Sequence, residues 1–166
     1  GTRALLRSGA FGGLRGSLPP AEFLVAANAY LQRQDWNEGF ATAIHVVVDL
    51  STGTYEVRSA GHPPLVHYSA GSGRWTVVDT GGVALGVQDL VKYDPAMGEL
   101  RRGDALLLYT DGVVESPRRE LSDGIDWLQG QAERLVASGF RHGARKLVDA
   151  VGSADDDRAL LLIWRT

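Results

Sequence analysis

Carboxylates stand where two apolar segments end or begin, and they are the residues of this sequence with the clearest capacity for chemistry. Asp111 follows the apolar segment 105–110 and is itself followed by Gly112. A triplet of adjacent carboxylates precedes the apolar segment 159–164, at Asp155, Asp156 and Asp157. Adjacent carboxylates repel one another, and a hard divalent cation such as Mg²⁺ or Mn²⁺ relieves that repulsion. Two such strand ends in one small domain favour a metal site, against the alternatives of an Asp-Gly turn and a solvated acidic loop.

Two further segments have the composition of binding loops. Segment 60–64 (AGHPP) holds His62 between a strand end and two prolines that stiffen the backbone. His62 could ligate a metal, transfer a proton or contact phosphate, or it could hydrogen-bond the neighbouring turn. The glycine-rich segment 80–86 could bind phosphate through backbone N–H groups, or it could be a turn that needs positive φ. We expect the other histidines to be structural (His45) or at the surface (His67 and His142).

Composition and missing motifs exclude several other chemistries. Without cysteine there is no disulfide, thiolate site or cysteine nucleophile. The sequence lacks the GxSxG elbow of hydrolases and the HExxH zinc motif. A net charge of −3 gives nucleic-acid binding no bulk electrostatic support. No apolar run approaches the roughly 18–20 residues that span a bilayer, and no signal peptide is recognised. We therefore expect a cytoplasmic domain that contacts neither nucleic acid nor membrane.

The elements that must position these residues follow from hydrophobic periodicity. Helical spacing predicts helices over 20–34, 126–138 and 142–151. Alternating or β-branched runs predict strands over 41–50, 54–60, 65–68, 75–78, 90–93, 105–110 and 159–164. The first four strands are expected to pair as two hairpins. This order is α+β rather than βαβ. Leu106–Leu108 and Leu160–Ile163 are apolar at successive positions, so both faces of these strands should be covered, as in a layered sandwich.

Taken together, these segments resemble the PPM family of metal-dependent protein serine/threonine phosphatases, in its SpoIIE-type branch. The resemblance covers roughly residues 17–166, and the matching stretches are 40–43 (FATA), 60–64 (AGHPP), 84–86 (ALG), 103–115 (GDALLLYTDGVVE) and 156–160 (DDRAL). It implies an αββα four-layer sandwich of two antiparallel sheets flanked by helices. It also implies two Mn²⁺ or Mg²⁺ ions in a cleft between the sheets, and hydrolysis of phosphoserine or phosphothreonine by metal-activated water without a phosphoenzyme.

The resemblance assigns roles residue by residue. Asp111 and Asp156 match metal-binding carboxylates and are the expected catalytic residues. Gly112, Asp157 and His62 are expected next to the metal ligands or near the substrate.

Two departures from the family pattern leave the activity open. The family's first metal motif, an Asp followed by a Gly-(His/Lys)-Gly pattern, has no match in residues 1–17, which contain no Asp or Glu. We therefore expect a single domain over 1–166 that lacks its N-terminal strands and this motif, and that alone holds at most one ion weakly. Ala159 stands where the family usually has Thr or Ser.

Two functions remain. The first is a bacterial phosphatase acting on a phosphorylated regulatory protein of the anti-anti-sigma-factor type. The second is a catalytically degenerate pseudo-phosphatase that binds a partner. By the same resemblance, the parent chain could carry sensor domains and could form a homodimer.

Overall fold

The computed structural model describes residues 20–33, 39–114, 121–137, 140, 143–150 and 158–166. The chain divides into two compact units. The first unit comprises Gly1–His62 and Asp79–Glu99, and the second comprises Pro63–Val78 and Leu100–Thr166. Each unit contains an antiparallel sheet and at least one helix. In the described part of the chain, no helix is both long and apolar enough to cross a bilayer.

The first unit packs one helix with a three-stranded sheet. Its elements are α1 (Pro20–Gln32), β1 (Ala43–Val48), β2 (Thr54–Ala60) and β5 (Ala96–Glu99). The strands are antiparallel in the order β1-β2-β5. Helix α1 buries Leu24, Ala27 and Leu31, which recur at helical spacing, in a cluster with Ala60 and Leu85. This apolar stripe is the reason that α1 forms where the periodicity predicts it.

The second unit is built around a four-stranded sheet. Its strands are β3 (Leu65–Ser69), β4 (Arg74–Val78), β6 (Ala105–Tyr109) and β7 (Leu160–Trp164). They are antiparallel in the order β4-β3-β6-β7. Its helices are α2 (Asp111–Val114), α3 (Leu121–Ala137) and α4 (Gly143–Ala150). Val66 and Leu107 from the sheet pack with Leu128 and Leu135 of α3 and Leu147 of α4 in one apolar core.

The architecture therefore confirms the α+β class with two antiparallel sheets and both predicted hairpins, β1-β2 and β3-β4. The four-layer αββα stacking stays a prediction. Strand β6 is buried over nearly its whole length, as its run of apolar residues predicts. His45 lies within β1 and stacks on Phe23 of α1, with ring centroids 4.7 Å apart, in agreement with a structural role.

The strand predicted at 90–93 is wrong. Leu90 is fully exposed and has a φ of 30°, which no strand accommodates. The Tyr93 carbonyl accepts a hydrogen bond from the Arg58 guanidinium instead of from a neighbouring strand. The real strand is β5, which pairs with β2 and was missed because its sequence, AMGE, has no β-branched or aromatic residue.

Three smaller predictions also need correction. Helix α3 begins at Leu121 rather than at 126, because Gly124 masks the helical pattern of its first turns. His67 is half-buried rather than at the surface, with Nε2 3.5 Å from Oδ2 of Asp104. Strand β7 is not covered on both faces: it lies at the edge of the described sheet, with Leu161 55% exposed and Trp164 44% exposed. His142 lies outside the described residues.

Candidate functional site

Asp111 lies where the chain leaves β6, one of the two inner strands of the second unit's sheet. Strand β6 ends at Tyr109, and Asp111 is the first residue of the single-turn helix α2. Its side chain is exposed, whereas the next three residues, Gly112 to Val114, are buried. Oδ1 of Asp111 accepts a hydrogen bond from the backbone N–H of Gly112 at 2.9 Å. The buried turn therefore anchors a carboxylate that itself faces solvent.

Thr110 joins this strand end to the start of β7. Its backbone N–H donates to the Ala159 carbonyl at 3.0 Å. Its hydroxyl accepts from the Ala159 N–H at 2.9 Å and lies 3.5 Å from the Ala159 carbonyl oxygen. Asp156 and Asp157 precede Ala159 by three and two residues in the sequence, but both lie outside the described residues, as does Asp155. The structure thus brings together the strand ends next to both predicted acidic sites.

The donor chemistry of Asp111 suits a hard cation such as Mn²⁺ or Mg²⁺, which prefers carboxylate oxygens. In the described ranges, however, no three or more His, Cys, Asp or Glu side chains gather into a group that could hold a metal ion. Asp111 alone fits the role of one ligand. A complete site would need further ligands beyond this part of the chain, and Asp156 is the predicted second one.

His62 belongs to the first unit and closes a tight turn after β2. The Ser59 hydroxyl donates to the His62 carbonyl at 3.0 Å and accepts from the His62 N–H at 3.1 Å. This reciprocal pair fixes the backbone of the AGHPP segment. The His62 backbone thus takes part in closing this turn.

The glycine-rich segment packs on that same turn. Gly82 has a φ of 110°, and a Cβ there would overlap the Ser59 carbonyl oxygen. Gly61 has a φ of 67°, and its Cβ would lie 3.0 Å from the Cβ of Ala84. Only glycine fits both positions, which supports the interpretation of 80–86 as a turn with positive φ. Two motifs that are separate in sequence therefore form one structure in the first unit.

Two buried polar residues were missed by the sequence predictions. Asn28 on α1 accepts a hydrogen bond from the Gly86 N–H at 2.8 Å and donates to the Gln88 carbonyl at 3.0 Å. It thereby ties the helix to the glycine-rich segment. The only sequence signal was a polar residue on the apolar stripe of a predicted helix. The second buried polar residue is Asp104. Its only sequence signal was its position in the turn just before a buried strand.

Burial shifts the pKa of two groups in the first unit. Desolvation lowers the pKa of His45 below its ordinary value of 6.5, while Glu56 nearby raises it and Arg58 lowers it further. Burial also raises the pKa of the Tyr93 phenol above its ordinary value of 10.0. Both shifts favour the neutral form of the side chain, so neither group supplies charge to a site at neutral pH.

The fold and these motifs define a PP2C-like phosphatase domain. The chain belongs to the SpoIIE family, because the family model described as "Stage II sporulation protein E (SpoIIE)" matches residues 2–166. The comparison thus confirms the family that the five ordered motifs indicated.

Individual relatives agree with this assignment. The phosphoserine phosphatase RsbU of Bacillus subtilis is 25% identical over 96 residues, which cover 58% of this chain and 29% of RsbU. The structure of the RsbU and RsbW domains of Rv1364c from Mycobacterium tuberculosis matches with a TM-score of 0.79 at 22% identity, covering 96% of this chain and 45% of that one. The phosphatase domain of SpoIIE from Bacillus subtilis, presoaked with Mn, matches with a TM-score of 0.64 at 17% identity, covering 92% and 69%.

The two solved structures share 22% and 17% of their residues with this chain, and at these identities they show the fold alone. The chain spans less than a third of the length of RsbU and less than half of the mycobacterial chain.

Proposed function

We propose that this chain is the catalytic domain of a metal-dependent protein phosphatase that hydrolyses phosphoserine or phosphothreonine on a regulatory protein. The observation that carries the proposal is the exposed Asp111 carboxylate, held at the end of a buried strand whose backbone is pinned to the segment following Asp156. Membership of the SpoIIE family supports the same activity.

In this proposal Asp111 and Asp156 hold Mn²⁺ or Mg²⁺. Such ions lower the pKa of a bound water and neutralise charge on the phosphoryl oxygens. The chain's own contribution is positioning. The Gly112 N–H orients Oδ1 of Asp111, and burial of Val113 and Val114 prevents that turn from shifting. Gly112 and Asp157 are proposed to lie next to the metal ligands, and His62 near the substrate.

The proposed substrate is a phosphorylated regulator of the anti-anti-sigma-factor type. The relative RsbU is a phosphoserine phosphatase, and the mycobacterial protein joins RsbU and RsbW domains. Both support a phosphorylated regulatory protein as the substrate. We also propose a parent chain with sensor domains, which could act as a homodimer in the bacterial cytoplasm.

The second candidate function is a pseudo-phosphatase that binds a partner without turnover. It is motivated by Ala159, which stands where the family usually has Thr or Ser. The two functions predict different results in one assay.

The assay measures Mn²⁺-dependent release of phosphate from a phosphoserine protein by the full-length gene product. We expect Asp111→Asn to lower the rate at least about 100-fold, because it removes a charged metal ligand. The matched control is Asp126→Asn, which removes an exposed carboxylate of α3 in the same unit and should leave the rate unchanged. Full activity of the Asp111 variant would contradict the mechanism, and a wild-type protein without activity that still binds its phosphorylated partner would favour the pseudo-phosphatase.

A further inference from the structure

The hydrogen bonds of Thr110 depart from the ladder that β6 and β7 otherwise form. The ladder runs from Ala105 opposite Trp164 to Tyr109 opposite Leu160, so Thr110 and Ala159 are the next pair in register. In an antiparallel hydrogen-bonded pair, each residue donates its N–H to the carbonyl of the other. Thr110 does donate to Ala159, at 3.0 Å. The reciprocal bond to the Thr110 carbonyl is replaced.

The Thr110 hydroxyl takes the place of its own carbonyl. The carbonyl has turned away and accepts the Val113 N–H at 3.0 Å, which begins helix α2. The Ala159 N–H therefore donates to Oγ1 of Thr110 instead, at 2.9 Å. By this exchange β6 can end and α2 can begin while β7 stays paired. Without the hydroxyl, the exposed Ala159 N–H would lose this partner and donate to water, and this tie between the ends of β6 and β7 would be lost.

We infer that Thr110 is a positioning residue for the Asp111 carboxylate, the metal ligand proposed just after β6. Its hydroxyl accepts from the Ala159 N–H and so fixes the end of β6, one residue before Asp111, to the start of β7. This inference rests on the proposed function, since it assigns to Thr110 the placement of a ligand proposed there. Thr110 itself contacts neither the ion nor the substrate in this scheme.

The test compares Mn²⁺ affinity, measured by calorimetry, in full-length proteins carrying Thr110→Val or Thr110→Ser. Valine keeps the branched shape without the hydroxyl, and serine keeps the hydroxyl. We expect roughly tenfold weaker Mn²⁺ binding for Thr110→Val and near wild-type binding for Thr110→Ser, in line with the usual effect of groups that orient metal ligands. The matched control is Thr76→Val, which removes a hydroxyl that donates to the His67 carbonyl at 3.3 Å in the same unit.

Melting temperatures without metal separate positioning from general stability. A folded Thr110→Val protein with wild-type Mn²⁺ affinity would overturn the inference, as would equal loss of affinity in Thr76→Val. If the wild type binds no Mn²⁺, or if Asp111→Asn binds it as well as the wild type does, the proposed function fails and the inference falls with it. If Asp111→Asn loses Mn²⁺ binding but Thr110→Val does not, only the inference fails.

Discussion

Asp104 shows how a single buried carboxylate can fix the loop before a core strand. It is only 3% exposed, and its oxygens accept the N–H groups of Ala70 at 2.7 Å and Arg101 at 2.9 Å. Nε2 of His67 lies 3.5 Å from Oδ2 of Asp104. A buried carboxyl group is tolerated when its oxygens accept hydrogen bonds in this way. The start of β6, and hence the position of Asp111 at its end, therefore depends on a residue remote from the site.

At the same scale, His45 predicts a dependence of stability on pH. Burial lowers its pKa in the folded protein below 6.5, so the unfolded chain takes up a proton first as the pH falls. The contribution of neutral His45 is therefore complete above about pH 6.5 and is lost between that pH and the lower pKa of the folded state. His45→Phe keeps an aromatic ring for Phe23 to stack on but cannot be protonated.

The measurement is the free energy of unfolding by urea at several pH values from 5 to 8. We expect the wild type to lose more stability than His45→Phe on going from pH 7 to pH 5. Because the other histidines are the same in both proteins, the difference between the two curves isolates His45. Parallel curves would show that burial of His45 imposes no such penalty.

At the scale of elements, the contact between α2 and α3 depends on a glycine. A Cβ on Gly124 would overlap the carbonyl oxygen and carbon of Val114. Gly130 lies in the same helix, and a Cβ there would have no atom of the described residues within 4 Å. An alanine at either position would gain the same helix propensity, but only Gly130 has space for the added Cβ.

We expect Gly124→Ala to destabilise the protein by about 1–3 kcal/mol, because overpacking outweighs the gain in helix propensity. Gly130→Ala should stabilise it by up to about 1 kcal/mol, since alanine is the better helix former. Urea denaturation of both variants measures this. Equal stabilisation by the two substitutions would mean that α2 can move away from α3 at little cost, and that the Asp111 turn is loosely held.

The same elements show why some predictions from sequence succeed. Strand β6 was predicted correctly because its successive apolar residues leave no alternative to a buried strand. Strand β5 was missed because Met97 is exposed and Gly98 makes way for the Tyr55 ring, so its sequence carries no β signal. Helix α2 was missed because one turn of four residues is shorter than any periodicity can reveal.

At the scale of the whole molecule, five motifs along the chain predicted the family, which the match over residues 2–166 confirms. The apolar run before Asp111 predicted its place after a strand, and β6 does end at Tyr109. The sequence could not predict the hydrogen bonds that hold these motifs in place. The contacts from Thr110 to Ala159 and from Asn28 to Gly86 join residues 49 and 58 positions apart, and nothing local in the sequence specifies them. Such contacts arise only when whole elements have packed.

A prediction for the whole molecule concerns metal and thermal stability. An ion that binds only the folded protein raises its stability by about 2.7 kcal/mol at a concentration 100 times its dissociation constant. We expect Mn²⁺ to raise the melting temperature of the full-length protein and Asp111→Asn to abolish most of that rise. Scanning calorimetry with excess Mn²⁺ or with EDTA measures it. An equal rise in the variant would place the Mn²⁺ elsewhere.

The edge position of β7 in the described sheet determines where that sheet can be extended. Its sequence, LLLIW, has no charge, proline or glycine, and Leu161 and Trp164 are both exposed. Within the described part of the chain, this strand pairs on one side only. Uncharged apolar edge strands act as templates for pairing between molecules. In the described ranges, the second edge of β7 is therefore where one more strand, from the same gene product or from another copy, would extend the sheet.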